Sequence, residues 1–345
     1  YEISACLVGS EMCIRDRNRM ISKKVLANRI LVGAGIAIVM IGMVVIAALS
    51  TRLNTWVDRS IDSIIISVII LMAVVEMRRA LGRERIPDNF SWLLWVYGFG
   101  LGPAYAFFGF TGLTFFTLLI FACSAITAVY INNAKALMYI AFMLVYPGLF
   151  LASMLYINKS ASTRFISPDS QLYPYIVNDI WTLLGDKRVI QLLPYNAIGL
   201  AFVFAVSAFT DVFAFIFGVS FGKHKLCPAI SPKKTVEGAF GGIFGGMLGS
   251  ALVYFVFDYF KLFGPQCGLT FHDLSTFNLV LVYVLIGIVG SVMTQLGDLV
   301  ASMVKRYCDI KDYSRVLGEH GGIMDRFDGI MFNAVFVATV YMFIL

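Results

Sequence analysis

Charge is what this sequence has least of. Only 14% of its 345 residues are Asp, Glu, Lys or Arg, where a soluble domain carries about 25%. With 59% hydrophobic residues and a mean hydropathy of +0.82, that shortage excludes a water-soluble globular domain and implies an integral membrane protein. Cysteine is sparse as well. Cys6, Cys13, Cys123, Cys227, Cys267 and Cys308 include no CxxC pair, so neither a disulfide framework nor a zinc site is indicated. The net charge of +6 is small for the length. It fits the basic bias of cytoplasmic loops better than nucleic-acid binding.

The start of the chain lacks the apolar core and small-residue cleavage site of a signal peptide. What stands there is YEISACLVGSEMCIRDR. The stretch from Leu7 to Asp16, LVGSEMCIRD, back-translates into one arm of a transposon-based sequencing adapter. Residues 1 to 17 are therefore expected to be adapter translation and are set aside from fold reasoning.

What is present in quantity is apolar sequence in runs of about the 20 residues that cross a bilayer. They fall near 30–49, 60–75, 90–108, 111–130, 136–156, 195–219, 238–257, 277–297 and 328–345. The expected fold is all-α, a polytopic membrane protein of about nine transmembrane helices. An N-terminal membrane region, 18–194, would hold five spans and an external loop at 157–194, and a C-terminal catalytic region, 195–345, four. Lys23, Lys24 and Arg29 precede the first span and put the N-terminus in the cytoplasm. Alternation then brings Arg78, Arg79, Arg83 and Arg85, and the loops 220–237 and 305–327, to the same side. Gly241, Gly242, Gly245, Gly246 and Gly249 recur at the small-xxx-small spacing of closely packed membrane helices.

Two polar segments interrupt the apolar pattern. In the first, Asp211 lies inside an apolar span, where an unpaired carboxylate is costly and usually functional. Lys223, Lys225, Lys233 and Lys234 follow, with hydroxyls from Ser231 and Thr235. Ammonium groups and hydroxyl donors together suit a polyphosphate, although basic loops also rest on anionic lipid. The second segment is QLGDLVASMVKRYCDIKDYSRVLGEHGGIMDRFDG. Asp298 ends one span, and Asp325 and Asp328 open the next, three apart and so on one helix face. Carboxylates at a membrane rim resemble a hard-cation site, since Mg²⁺ takes oxygen ligands and bridges to phosphates. Lys305, Arg306, Lys311 and Arg326 surround them, the layout that phosphoryl-type transfer requires. His320, before Gly321 and Gly322, reads either as a site residue in a tight turn or as a solvated loop histidine.

At these residues the chain resembles the phosphatidate cytidylyltransferase (CDP-diacylglycerol synthase) family. Ser302, Lys305, Arg306, Lys311, Asp312, His320, Gly321, Gly322, Asp325, Arg326 and Asp328 stand at the spacing of that family's C-terminal signature. Gln295, Gly297 and Asp298 fit the stretch before it, and SPKKTVEG and the Asp211 region match upstream motifs. Gly318-Glu319 departs from the usual Pro-Gly, and Gly329 from a customary Ser. The resemblance implies that CTP and phosphatidate give CDP-diacylglycerol and pyrophosphate with Mg²⁺, at the cytoplasmic face of a bacterial membrane and in a homodimer. It implies Asp298 and Asp328 as metal ligands with Asp325 beside them, and Ser231, Lys233, Lys234, Thr235, Asp211, Lys311 and Asp312 as nucleotide-binding residues. Lys305, Arg306, Arg326 and His320 would join the three acids in catalysis. Alternative readings are a CTP-dependent polyprenol or phytol kinase, and an ion-coupled transporter. Transporters commonly carry internal repeats, and none is visible here.

Deleting residues 1 to 17 is expected to leave the yield of folded protein unchanged in a detergent size-exclusion profile. A marked loss of folded protein would overturn the adapter reading.

Overall fold

The computed structural model describes residues 23–53, 56–159, 162–165, 190–193, 195–263, 275–317 and 321–344. The adapter-like stretch, His320 and most of the 157–194 segment lie outside these. The described chain is overwhelmingly helical. Its opening helices are α1 (Lys23–Leu53) and α2 (Trp56–Leu81). The chain leaves α2 through Gly82, whose φ of 80° and N–H bond to Arg78 O at 3.1 Å form a left-handed cap.

The spans expected at 90–108 and 111–130 form one hydrogen-bonded element, α3 (Ser91–Tyr130), but the chain reverses inside it at Gly109. A φ of 62° with ψ of −148° is open essentially to glycine alone. The two arms pack on each other, and Tyr97 stacks over Phe116 with ring centroids 6.4 Å apart. The single span expected at 136–156 is instead broken into α4 (Ala134–Met143) and α5 (Phe150–Lys159). Pro147 has no N–H for a helical bond, and Tyr146 leaves helical geometry at φ −122°, ψ 108°.

Then follow α6 (Tyr195–Phe221), α7 (Val236–Tyr254), α8 (Thr276–Tyr307) and α9 (Met324–Ile344). Two antiparallel strand pairs, which the all-α expectation did not contain, complete the description. The first pairs β1 (Ser162–Phe165) with β2 (Ile190–Leu193), and the second pairs β3 (Lys225–Cys227) with β4 (Ser231–Thr235).

Five helices among the described residues are long and apolar enough to cross a membrane: 88–130, 134–157, 197–221, 236–259 and 276–307. Phe107, Phe108, Phe115, Leu118, Val212, Phe215 and Val219 turn outward. An apolar surface of that extent belongs in lipid. The chain is a multi-pass membrane protein.

Lipid is as apolar as leucine, so helices in a bilayer associate by close packing and by buried polar contacts. The first holds α7 against α6 and α8, and the second holds α6, α8 and α9. The glycine run gives α7 two flat faces. A Cβ at Gly245 would lie 2.4 Å from Phe209 O on α6, and one at Gly246 2.6 Å from Gly287 O on α8. Beside them runs a buried polar seam. Asn333 Nδ2 on α9 donates to Val203 O at 3.1 Å and to Ser207 Oγ at 3.1 Å on α6. Ser207 Oγ in turn lies 3.1 Å from Thr294 Oγ1 on α8. The seam ties together the three helices that carry Asp211, Asp298 and Asp328.

Gly245→Ala is expected to lower the melting temperature of the purified protein in detergent, because no main-chain oxygen can yield to the new methyl. Gly42→Ala on α1, where a Cβ meets nothing within 4 Å, should leave it unchanged. Equal melting temperatures for the two variants would remove the close-packing role assigned to α7.

Candidate active site

The β3–β4 hairpin is built to stand on the end of the bundle. Thr235 ends β4 and caps α7, its hydroxyl accepting from Gly238 N at 3.1 Å. Glu237, in the first turn of α7, reaches back over the preceding loop and accepts from Lys223 N at 3.0 Å and His224 N at 3.2 Å. His224 Nδ1 meets the same carboxylate at 2.6 Å. Along β4, Lys233 is exposed and Lys234 half-buried. Lys234 Nζ reaches Asp298 Oδ2 on α8 at 2.6 Å. A second tie lies nearby, where Arg306 Nε donates to Ile230 O at 3.4 Å. The two polar segments of the sequence, some sixty residues apart, thus meet at one place.

Around that place the acids form a group different from the expected one. The carboxylate of Asp211 feels the charges of Asp298, Lys234 and Arg326, and that of Asp328 feels Asp298, Lys305 and Asp211. Asp211 is accessible although protein surrounds it, and Asp298 and Asp328 are half-buried. Asp298 has its second oxygen without a hydrogen-bond partner among the described residues, as does Asp328, whose Oδ1 accepts from Gly329 N at 2.8 Å.

Asp325, predicted as a metal ligand beside these, is fully engaged elsewhere. Its Oδ1 takes Lys305 Nζ at 2.8 Å, and its Oδ2 takes Tyr313 N and Gly322 N, each at 2.9 Å. Gly321, at φ 79°, makes room for that carboxylate, since a Cβ there would lie 2.8 Å from Oδ2. Asp325 folds the α8–α9 connection back on its own helix start. Tyr313 completes the fold-back. Burial pushes its phenol well above the ordinary value, so it remains a neutral donor, bonding Ala301 O at 3.2 Å.

Thr235, predicted to serve a phosphate, spends its buried hydroxyl on the α7 cap. Ser231 is half-buried at the start of β4, and Lys311 and Asp312 are exposed on the turn after α8. Arg326 is exposed beside the acids. His320 lies outside the described residues.

Two residues that sequence reasoning passed over come from the first half of the chain. Glu76 on α2, only 2% exposed, accepts from Ile323 N at 3.0 Å, Met324 N at 2.8 Å and Ser314 Oγ at 2.6 Å. Amides at a helix start have no partner within the helix, and this carboxylate satisfies two of them across 248 residues of sequence. Gly322 is required beside it, because a Cβ would lie 2.4 Å from Glu76 Oε2. An acid at the end of an apolar run was the available signal. Tyr146 is the second, and its hydroxyl is buried without a hydrogen-bond partner among the described residues.

With the geometry in view, comparison with known proteins becomes informative. A family model described as the Cytidylyltransferase family matches residues 28–344. The chain belongs to that family. Among similar proteins of the same description, the phosphatidate cytidylyltransferase of Staphylococcus haemolyticus (strain JCSC1435) is 41% identical over 131 residues, 38% of this chain and 44% of that protein. One from Staphylococcus epidermidis (strain ATCC 12228 / FDA PCI 1200) is 46% identical over 131 residues, with the same coverage. One from Staphylococcus saprophyticus is 44% identical over 132 residues, again covering 38% and 44%. The matched stretch is thus under half of each of these relatives.

The donor set can be weighed for a metal. Among the described residues no three carboxylate, imidazole or thiol groups converge at metal-holding spacing. Mg²⁺ does not need three, since it is usually held by one or two carboxylates together with substrate phosphates. The open oxygens of Asp298 and Asp328 fit that pattern, and Asp325 does not.

The two acids are expected to separate by mutation. Asp325→Asn strands Lys305, 14% exposed, opposite a neutral amide, and breaking a buried pair costs about 3–5 kcal/mol. Asp298→Asn frees the more accessible Lys234, where about 1 kcal/mol or less is at stake. Thermal unfolding in detergent should therefore fall sharply for the first variant and little for the second. Equal stability losses would cancel the division of roles.

Proposed function

We propose that the protein transfers the cytidylyl group of CTP to phosphatidate, giving CDP-diacylglycerol and pyrophosphate. One observation carries the reading: Lys234 and Asp298 meet at 2.6 Å, bringing a phosphate-seeking hairpin and an acid-bearing helix to a single point. Family membership narrows the nucleotide to a cytidine one, and the names of the relatives supply the lipid.

In this reaction a phosphate oxygen of phosphatidate attacks the α-phosphorus of CTP. The bond to the oxygen bridging the α- and β-phosphates breaks, and pyrophosphate leaves with the electron pair. A phosphomonoester has a second pKa of about 6 and is already ionised at neutral pH, so no side chain has to remove a proton. What the reaction needs is charge compensation and alignment. Lys233, exposed on β4, meets the triphosphate, and Arg306 and Arg326 neutralise the converging phosphates. Lys234 holds Asp298 oriented until substrate arrives. Asp298 and Asp328 would hold Mg²⁺, with Asp211 adding negative charge beside them. When bound there, the ion supplies charge neutralisation and a fixed orientation for the phosphate groups.

The site belongs at the cytoplasmic face of a bacterial membrane, where CTP is present. Nine spans agree with that orientation. That count takes the 88–130 helix as two arms divided at Gly109 and adds α1, α2 and α9 to the other four long apolar helices.

The test is the protein in phosphatidate-containing micelles with CTP labelled in either the α- or the γ-phosphate. Label from the α-phosphate should enter lipid, and EDTA should abolish its entry. Lys233→Ala should raise the KM for CTP about 10- to 150-fold, the cost of losing a hydrogen bond to a charged group, with the KM for lipid unchanged. Lipid labelling from γ alone would mean a kinase, and no labelling at all would point toward a transporter.

A further inference from the structure

Tyr146 is 3% exposed, and its hydroxyl has no hydrogen-bond partner among the described residues. A buried hydroxyl left unsatisfied costs about 1–3 kcal/mol. Nothing about the ring explains why the cost is borne, because a phenylalanine would pack equally well. The ring is fixed on three sides. It lies 5.4 Å from Phe142, and meets Phe150 edge-on at 5.8 Å and Phe332 at 6.1 Å.

Phe332 locates the hydroxyl relative to the acids. It stands one turn beyond Asp328 on α9, and it also covers Gly297, the neighbour of Asp298. A Cβ at Gly297 would lie 2.9 Å from the Phe332 ring and 2.4 Å from Asp328 O. The phenol is accordingly within electrostatic reach of Asp328, Asp298 and Asp325, yet it donates to none of them. Tyr146 sits where the α4–α5 helix is broken, at φ −122° and ψ 108°, so its direction is set by the break and not by helical periodicity.

A neutral donor suits this position chemically. A lysine would be drawn into an ion pair with the nearest carboxylate, as Lys305 is with Asp325. A phenol keeps its proton and can offer it to an acceptor-only group. Phosphate oxygens are such acceptors.

Taking the cytidylyl-transfer reading as its basis, we propose that Tyr146 Oη donates a hydrogen bond to a phosphate oxygen of the substrate seated against Asp298 and Asp328. The residue is a catalytic one contributed by the first half of the chain. The phosphate belongs either to the nucleotide or to the lipid, and kinetics separates the two.

Tyr146→Phe removes one oxygen and leaves the ring packing intact. In the full chain the melting temperature should be unchanged or higher, because the variant loses an unsatisfied polar atom. At the same time kcat/KM should fall about 10- to 150-fold. A rise confined to the KM for CTP assigns the bond to the nucleotide, and one confined to phosphatidate assigns it to the lipid. A fall in kcat alone means the bond tightens only as the phosphorus is attacked. The stabilisation that CTP or phosphatidate gives against heat provides a readout independent of turnover, and it should shrink in the variant for the ligand concerned. Unchanged kinetics with both substrates would overturn the proposal. So would a lower melting temperature with activity lost only in proportion to unfolded protein. Should the wild-type chain transfer no cytidylyl group, the functional reading fails by itself. The thermal shifts of the two proteins then decide the tyrosine, with equal shifts counting against it.

Discussion

A charged carboxylate inside an apolar bundle is costly unless it is matched, and the arrangement of this protein follows from how three of its acids are. Water is not at hand to solvate the charge, and an unmatched ion in such surroundings costs several kcal/mol. Glu76 is matched by the amides that open α9, and Asp325 by Lys305 and two further amides. Asp298 is matched by Lys234 from the hairpin. The matches of Glu76 and Asp298 join segments distant in sequence, and that of Asp325 closes a local turn. The acids are therefore the joints of the structure as well as its chemistry: α2 is joined to α9, the α8–α9 connection to α9, and the hairpin to α8.

Joints of this kind hold only if the helices beneath them keep their spacing. The glycine faces of α7 provide contact close enough that an added methyl would strike main-chain oxygen on either side. The Asn333–Ser207–Thr294 seam adds direction, since hydrogen bonds fix register where dispersion alone would let helices slide. Asp211 and Asp298 each lie one turn beyond a seam residue, Ser207 and Thr294 respectively. The site is thus carried by a part of the bundle that is both tightly packed and register-locked.

Much of this was legible in the sequence, for definable reasons. Long apolar runs announce membrane helices because the bilayer imposes a length, and small-xxx-small spacing announces close contact because only small residues permit it. Even the division between 90–108 and 111–130 was readable from the two apolar runs, and the reversal falls at Gly109 between them. The break at Tyr146 was not, although Pro147 was in plain view, because proline inside a membrane span often does no more than bend it. The short β3–β4 hairpin was hidden because two three-to-five-residue strands carry too little periodicity to distinguish from a loop. In the site, charge type was legible and pairing was not. The sequence placed Asp325 three residues from Asp328 on one helix face, which is correct as geometry. Whether a carboxylate is open or already bonded depends on Tyr313 N, Gly322 N and Lys305, and spacing contains no information about those.

The same limit explains why the contribution of the first half of the chain went unseen. Motif spacing detects residues that share a segment, whereas Glu76 meets Met324 across 248 positions. The carboxylate of Glu76 occupies the positive end of α9, the position a phosphate would otherwise favour at a helix start. An anion approaching Asp328 must then be received by side chains and not by that helix end. The cations near the acids, Lys234, Lys305, Arg306 and Arg326, all lie at the hairpin end of the bundle, where Asp298 holds Lys234 and Asp325 holds Lys305. Deeper among the helices lie neutral polar groups, including Tyr146, Thr210 and Asn333, each with a buried oxygen that has no hydrogen-bond partner among the described residues. Positive charge on one side and uncharged hydrogen-bonding groups on the other give the site a polarity along the bundle axis, and Glu76 preserves it by keeping the start of α9 from becoming a competing anion site.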